Sequence, residues 1–181
     1  MQSDGSRGGP GGTAEAQGEP VPWLTDDEQA LWRRWVSLCT DVQAHLNRCL
    51  QEHADLSISD YEVMVMLSDD GDRLRVTELA RRMGWERSRL SHHVSRMEKR
   101  GLVRREATAE DGRGADVLLT PEGRVALEAA APGHVRDVRA VFLDGMSSEE
   151  FMALERVTTR MMERVRPGEE HTRAVPRRGR R

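Results

Sequence analysis

The stretch from Leu74 to Thr120 constrains this chain more than any other. Arg75-Val-Thr-Glu-Leu-Ala-Arg-Arg-Met-Gly84 reads as a short helix that stops at its glycine. Trp85-Glu-Arg-Ser-Arg-Leu-Ser-His-His-Val-Ser-Arg-Met-Glu-Lys-Arg-Gly101 reads as a second helix, rich in Arg and Ser. Leu102-Val-Arg-Arg105 and Asp116-Val-Leu-Leu119 read as strands around the glycine-rich turn Ala109-Glu-Asp-Gly-Arg-Gly114. That order predicts a winged helix-turn-helix, a geometry that offers one helix to the DNA major groove and a hairpin to the minor groove.

On a helical wheel of residues 87–100, Leu90, Val94 and Met97 fall on one side and belong to a core. Ser88, His92, Ser95 and Lys99 lie opposite, with Arg89 and Arg96 on one flank and Ser91 on the other. Short polar residues let a helix sink into a groove, while Arg grips guanine edges through two hydrogen bonds. Arg89 and Arg96 are therefore the expected base or phosphate contacts. Arg87, Ser88, Ser91, His92 and Ser95 are expected to contact DNA beside them. His93 is expected to pack partly, and adjacent histidines diverge on a helix, so His92 and His93 are not read as a metal pair. In the hairpin turn, Arg113 fits the narrow, electronegative minor groove. Asp111 would orient an Arg by a charge-assisted hydrogen bond, and Gly112 permits the turn.

Charge is distributed to match. The net charge is −3, yet residues 81–113 hold ten basic against five acidic residues, and residues 166–181 hold six against two. The remainder is strongly acidic. An acidic body with one basic module suits a protein that meets phosphate at one place.

The flanks complete the organisation. Residues 1–22 and 167–181 are rich in Gly, Pro and charge and are expected to be disordered tails, the second one basic. Residues 23–166 form the expected domain: a DNA-binding part over about 58–120, with long helices over about 25–54 and 121–166. Thr25-Asp-Asp-Glu28, Ser59-Asp-Tyr-Glu62 and Ser147-Ser-Glu-Glu150 have capping-box spacing, and Thr120-Pro121 reads as a cap with proline at the first helical position. Pro132-Gly133 predicts a kink or break. Leu31, Trp35, Leu38, Val42, Leu46 and Leu50 make a helical stripe. Trp32, Val138, Val141, Phe142 and Phe151 exceed what a three-helix DNA module covers, and the simplest use of that surface is a second copy. The fold class expected is α+β, mostly α.

Residues 25–166 resemble the multiple-antibiotic-resistance regulator (MarR) family. Val76–Gly84 looks like that family's first helix, Arg87–Val103 like its recognition helix running into the wing, and Asp111-Gly-Arg113 with Val117–Gly123 like its wing and the return to helix. The resemblance implies a homodimer joined by the terminal helices and a pseudo-palindromic operator, usually repressed. It also implies a small, often phenolic or aromatic, effector that weakens operator binding. It carries DNA contact to Ser88, Arg89, Ser91, His92, Arg96 and Arg113. Trp35, Cys39 and Tyr61 are effector candidates only because their helices line that region.

Other classes are disfavoured. No nucleophile stands with a base and an orienter, and there is no phosphate loop or His-Glu-x-x-His, so no catalytic residue, metal or cofactor is expected. Cys39 and Cys49 lie in one predicted helix, about 15 Å apart, too far for an intrachain bridge. A cysteine-based redox sensor and a low-specificity architectural DNA-binding protein are the alternatives. No apolar run approaches a membrane span, and the N-terminus lacks signal-peptide character, so a cytoplasmic, nucleoid-associated location is expected.

Overall fold

A computed structural model describes residues 21–107 and 114–165. The elements in chain order are α1 (Asp26–Ala54), α2 (Ile58–Asp69), β1 (Arg73–Arg75), α3 (Val76–Met83), α4 (Arg87–Lys99), β2 (Val103–Ala107), β3 (Ala115–Leu119), α5 (Pro121–Val138) and α6 (Ser148–Val165). The fold is α+β and mostly helical, as expected. Among the described residues, no helix is long and apolar enough to cross a membrane.

The chain divides into two units within α1, after Ser37. In the first, the Thr25 box forms: the Thr25 N–H donates to Glu28 Oε2 at 2.8 Å and Thr25 Oγ1 accepts from the Glu28 N–H at 3.3 Å. Asp26, Asp27 and Glu28 crowd the first turn, where the helix dipole favours negative charge. Leu31, Trp32 and Val36 are exposed, Trp32 by 56%.

The second unit holds the core. Leu56, Val63, Met64, Leu67, Leu79, Leu90, Val94, Met97, Val103 and Val117 are its most enclosed side chains. Of the α1 stripe within this unit, Leu50 joins the core, Leu46 is also buried, and Leu38 is exposed. The three strands form an antiparallel sheet in the order β1-β3-β2, with Leu74 opposite Val117 and Arg105 opposite Val117 on the other side. β1 was not expected; three residues are too short for a periodicity signal. The hairpin strands run one or two residues further towards the turn than expected.

α2 begins earlier than its sequence suggests. Its cap is Ser57, not Ser59: Ser57 Oγ accepts from the Asp60 N–H at 3.1 Å and Asp60 Oδ2 accepts from the Ser57 N–H at 2.9 Å. Asp60 is buried and thereby satisfied at the helix start, which fixes the register. Pro132 does not break α5; the helix runs through it to Val138 and widens into a π-type turn over Arg139–Leu143, where the Asp144 N–H donates to Arg139 O at 2.7 Å. α6 opens on the expected Ser147–Glu150 box.

α5 meets the wing at one point of close approach. Thr120 Oγ1 donates to Gly101 O at 2.6 Å and accepts from the Gly123 N–H at 2.9 Å. A Cβ on Gly123 would stand 2.0 Å from Leu102 O, so only glycine fits there.

Candidate nucleic-acid interface

The turn between α3 and α4 is set by Gly84, whose φ of 65° is left-handed and ends α3. The Trp85 N–H returns to Ala80 O at 3.0 Å. α4 then buries Leu90, Val94 and Met97, each fully enclosed. Burying side chains of this size stabilises the fold by about 1.5–3 kcal/mol each and leaves the opposite face no freedom to rotate inward. On that outer face Arg87, Ser88, Arg89, His92, Arg96 and Lys99 are exposed, and Ser91 and Ser95 are half-buried. All the α4 residues expected at a DNA contact thus share one accessible surface. Arg113, Asp111 and Gly112 lie outside the described residues.

The two flanking arginines are held rather than loose. The Arg89 guanidinium carbon lies 4.1 Å from the Trp85 ring centroid, a cation–π contact worth about 0.5–1 kcal/mol when exposed. Arg96 Nη2 lies 3.0 Å from His93 Nδ1. His93 is only 6% exposed, against the partial packing expected, because α2 supplies a charged neighbour: His93 Nε2 stands 3.1 Å from Asp60 Oδ1, a close contact though not aligned as a hydrogen bond. His92 points outward instead, so the adjacent histidines do diverge. Arg100 Nη1 donates to Asp60 Oδ2 at 2.8 Å. Burial alone would raise the Asp60 carboxyl; the adjacent His93 ring, with hydrogen bonds from Ser57 and Arg100, outweighs it and holds the group well below the usual carboxylate range.

The wing is tied to the same helix. The Arg105 N–H donates to Glu98 Oε1 at 2.9 Å, and its guanidinium donates to Ser91 O. Across the sheet, Arg73 Nε donates to the buried Asp116 at 2.7 Å. In α3, hydrogen bonds from Arg81 and Arg82 hold the Glu78 carboxyl down to about 2. Trp85, Asp60 and Arg105 were not singled out from the sequence. The Trp85–Arg89 spacing of four residues was a readable signal; Asp60 and Arg105 act across 33 and 14 positions in the chain and left none.

Trp35 is half-buried in the first unit. Cys39 is exposed and free. Tyr61 belongs to the core, its ring centroid 4.4 Å from that of His134. Cys49 Sγ lies 3.7 Å from His45 Nε2, but burial, with Asp137 and Glu52 nearby, pushes its thiol up and away from thiolate.

Comparison with known proteins agrees with this architecture. The MarR family model matches residues 54–114, from the end of α1 to the residue before β3. The chain is similar to the transcriptional regulator HosA of Escherichia coli O127:H6, 36% identical over 66% of this chain and 87% of HosA. It is also similar to the HTH-type transcriptional repressor YetL of Bacillus subtilis, 30% identical over 61% of this chain and 68% of YetL. Among solved structures it resembles Sco3205 of Streptomyces coelicolor, a MarR family transcriptional regulator crystallised in complex with DNA, with 39% identity, a TM-score of 0.78, and coverage of 85% of this chain and 97% of that one. These relatives are transcriptional regulators, not enzymes. A helix-turn-helix with a wing, an outward face of Arg and Ser, and three likenesses of this extent place the chain in the MarR family of transcriptional regulators.

Proposed function

We propose that the chain is a homodimeric repressor that binds a pseudo-palindromic operator in double-stranded DNA and leaves it when a small aromatic or phenolic molecule binds. The observation that carries this reading is the outer face of α4, where Arg87, Arg89 and Arg96 stand among Ser88, Ser91, His92 and Ser95 while the opposite face is locked in the core. Such a face enters the major groove, with the arginines on guanine edges or phosphates. The turn at 108–113, with Arg113 supported by Asp111 and Gly112, would reach the minor groove.

Repression is supported by the likeness to YetL, and DNA binding by the likeness to Sco3205 in its DNA complex. Dimerisation through the terminal helices is supported by the apolar side chains left exposed on them: Phe142, Phe151 and Met152 in the second unit and, separately, Leu31 and Trp32 in the first. Under this reading residues 58–120 read DNA, and helices over 25–54 and 121–166 join the subunits. Trp35, Cys39 and Tyr61 are retained as individual candidates for effector contact, of which Cys39 is already accessible.

The test is binding of the purified chain to duplex DNA from the intergenic region upstream of its own gene, against a scrambled duplex, at physiological salt. A site-specific regulator shows a ratio of about 10³ or more, with two protomers per site. Arg89→Ala and Arg96→Ala each weaken the specific complex. Equal binding to both duplexes refutes the operator reading in favour of an architectural protein. Unchanged binding in both variants refutes the assignment of α4.

A further inference from the structure

His93 lies beneath the recognition face and cannot reach DNA, yet it touches what holds both flanking arginines. Its Nδ1 is 3.0 Å from Arg96 Nη2. Its ring meets the Trp85 ring edge-on, with centroids 5.3 Å apart and planes at 87°. Trp85 in turn is the platform beneath Arg89. We propose that His93 is the positioning residue of the recognition helix: one buried imidazole fixes Arg96 by accepting its hydrogen bond and fixes Arg89 by bracing the indole on which it stacks. The inference rests on the reading of α4 as the DNA-contacting helix.

The chemistry requires one tautomer. Guanidinium only donates, so Nδ1 must carry a lone pair to accept from Arg96. The ring proton then sits on Nε2, which lies 3.1 Å from Asp60 Oδ1, an electrostatic contact outside hydrogen-bond alignment. Asp60 is the orienter: its Oδ2 is held by the Ser57 N–H at 2.9 Å and by Arg100 Nη1 at 2.8 Å, which leaves the negative Oδ1 beside Nε2, where it favours a proton on that nitrogen. A carboxylate fixing the tautomer and the direction of a histidine is a general device. Here the relay runs from the start of α2, through a buried ring, to the surface of α4. An unanchored arginine samples many rotamers and loses that freedom on binding; one already aimed at a base edge does not. Because such ordering favours base contacts over diffuse phosphate contacts, the relay acts on selectivity more than on overall attraction.

Two substitutions separate the halves of the ring. His93→Gln extends an amide towards Asp60 but withdraws the acceptor from Arg96. His93→Asn places an amide oxygen near the Nδ1 position, where Arg96 can still donate. The probes are the upstream intergenic duplex and its scrambled counterpart. For His93→Gln we expect the selectivity ratio to fall about tenfold, the size of one lost specific arginine contact. Binding to scrambled duplex and the salt slope should remain as in the wild type, since no phosphate contact is removed. His93→Asn should recover part of the ratio, and Arg96→Ala should add little to His93→Gln. Loss of both kinds of binding, or full additivity, would mean that His93 merely supports the fold and overturns the proposal. So would an unchanged ratio. If Arg89→Ala and Arg96→Ala also leave operator binding unchanged, the reading of α4 itself fails; if they weaken it and His93→Gln does not, only the positioning role fails. An independent measurement needs no variant: imidazole nitrogen NMR of the wild-type protein should show His93 as the Nε2–H tautomer. An Nδ1–H ring or an imidazolium would overturn the relay.

Discussion

Helix α5 contains two glycines ten residues apart, and the same substitution at each should change stability in opposite directions. At Gly123 a Cβ would lie 2.0 Å from Leu102 O, 2.9 Å from Leu102 C and 2.9 Å from Leu119 Cδ1. Two of these are backbone atoms that no side-chain rotation can clear, so α5 must move away from the end of the hairpin. Overpacking of a fitted site costs about 1–3 kcal/mol, and a backbone clash belongs at the upper end. Better helix propensity offsets at most about 1 kcal/mol. The net expectation for Gly123→Ala is a loss of about 2 kcal/mol, or a drop of about 4–8 °C in Tm for a chain of this size. At Gly133 the nearest atom is Arg136 Nη2 at 3.9 Å, an ordinary contact with a flexible side chain. There only the propensity gain remains, and Gly133→Ala should raise Tm by a few degrees. The assay is thermal and urea unfolding of wild type and both variants at one fixed protein concentration, since association shifts Tm. A Gly123→Ala protein as stable as wild type would refute the close approach of α5 to the wing. A Gly133→Ala protein destabilised as much as Gly123→Ala would refute the distinction between the two sites.

Leu90 is fully enclosed beneath the recognition face, so Leu90→Ala should cost about 2–5 kcal/mol by urea unfolding; a cost under 1 kcal/mol would mean that α4 is not anchored by its inner face. Asp60 has its carboxyl held below the ordinary range in the folded chain, so its contribution is fully present above the unfolded carboxylate pKa and is lost as pH falls below it. Wild-type Tm should therefore drop more steeply below about pH 4 than that of Asp60→Asn, and parallel curves would contradict the buried pairing. Removing residues 167–181, with their excess of Arg, should flatten the dependence of DNA affinity on salt; an unchanged slope would show that the tail does not meet phosphate.

The order of helices and hairpin was readable because its signals are local. Leu90, Val94 and Met97 repeat at helical spacing, Gly84 marks the left-handed stop of α3, and Thr120-Pro121 caps α5. Failures arose where a distant partner decides. Ser59 carries the spacing of a capping box, yet the register of α2 is set at Ser57 because Asp60 must reach His93 and Arg100 across the core. Pro132-Gly133 predicts a kink or break in α5, and of these the break does not occur, since the helix continues to Val138. The stripe on α1, by contrast, stays partly uncovered, as its apolar excess predicts: Leu31 and Leu38 are exposed, while Leu46 and Leu50 are buried. Periodicity identifies a face that prefers cover; it does not say which molecule covers it.

The same contrast governs charge. Between Arg81 and Arg113 the sequence counts ten basic residues, but the structure removes many of them from the supply available to phosphate. Arg81 and Arg82 bind Glu78, and Arg82 also binds Asp70. Arg100 is committed to Asp60, Arg104 to Glu106, and Arg105 to the backbone of Ser91. Arg87, Arg89, Arg96 and Lys99 have no carboxylate partner among the described residues; Arg89 rests on an indole and Arg96 on an imidazole, neither of which neutralises it. Among the described residues of this stretch, the charge that remains lies on one face of α4. Pairing thus lowers the diffuse attraction this module offers to any duplex, and leaves more of its binding to the few α4 side chains that can meet groove edges. Paired arginines brace the scaffold, while those resting on rings keep both their charge and their direction.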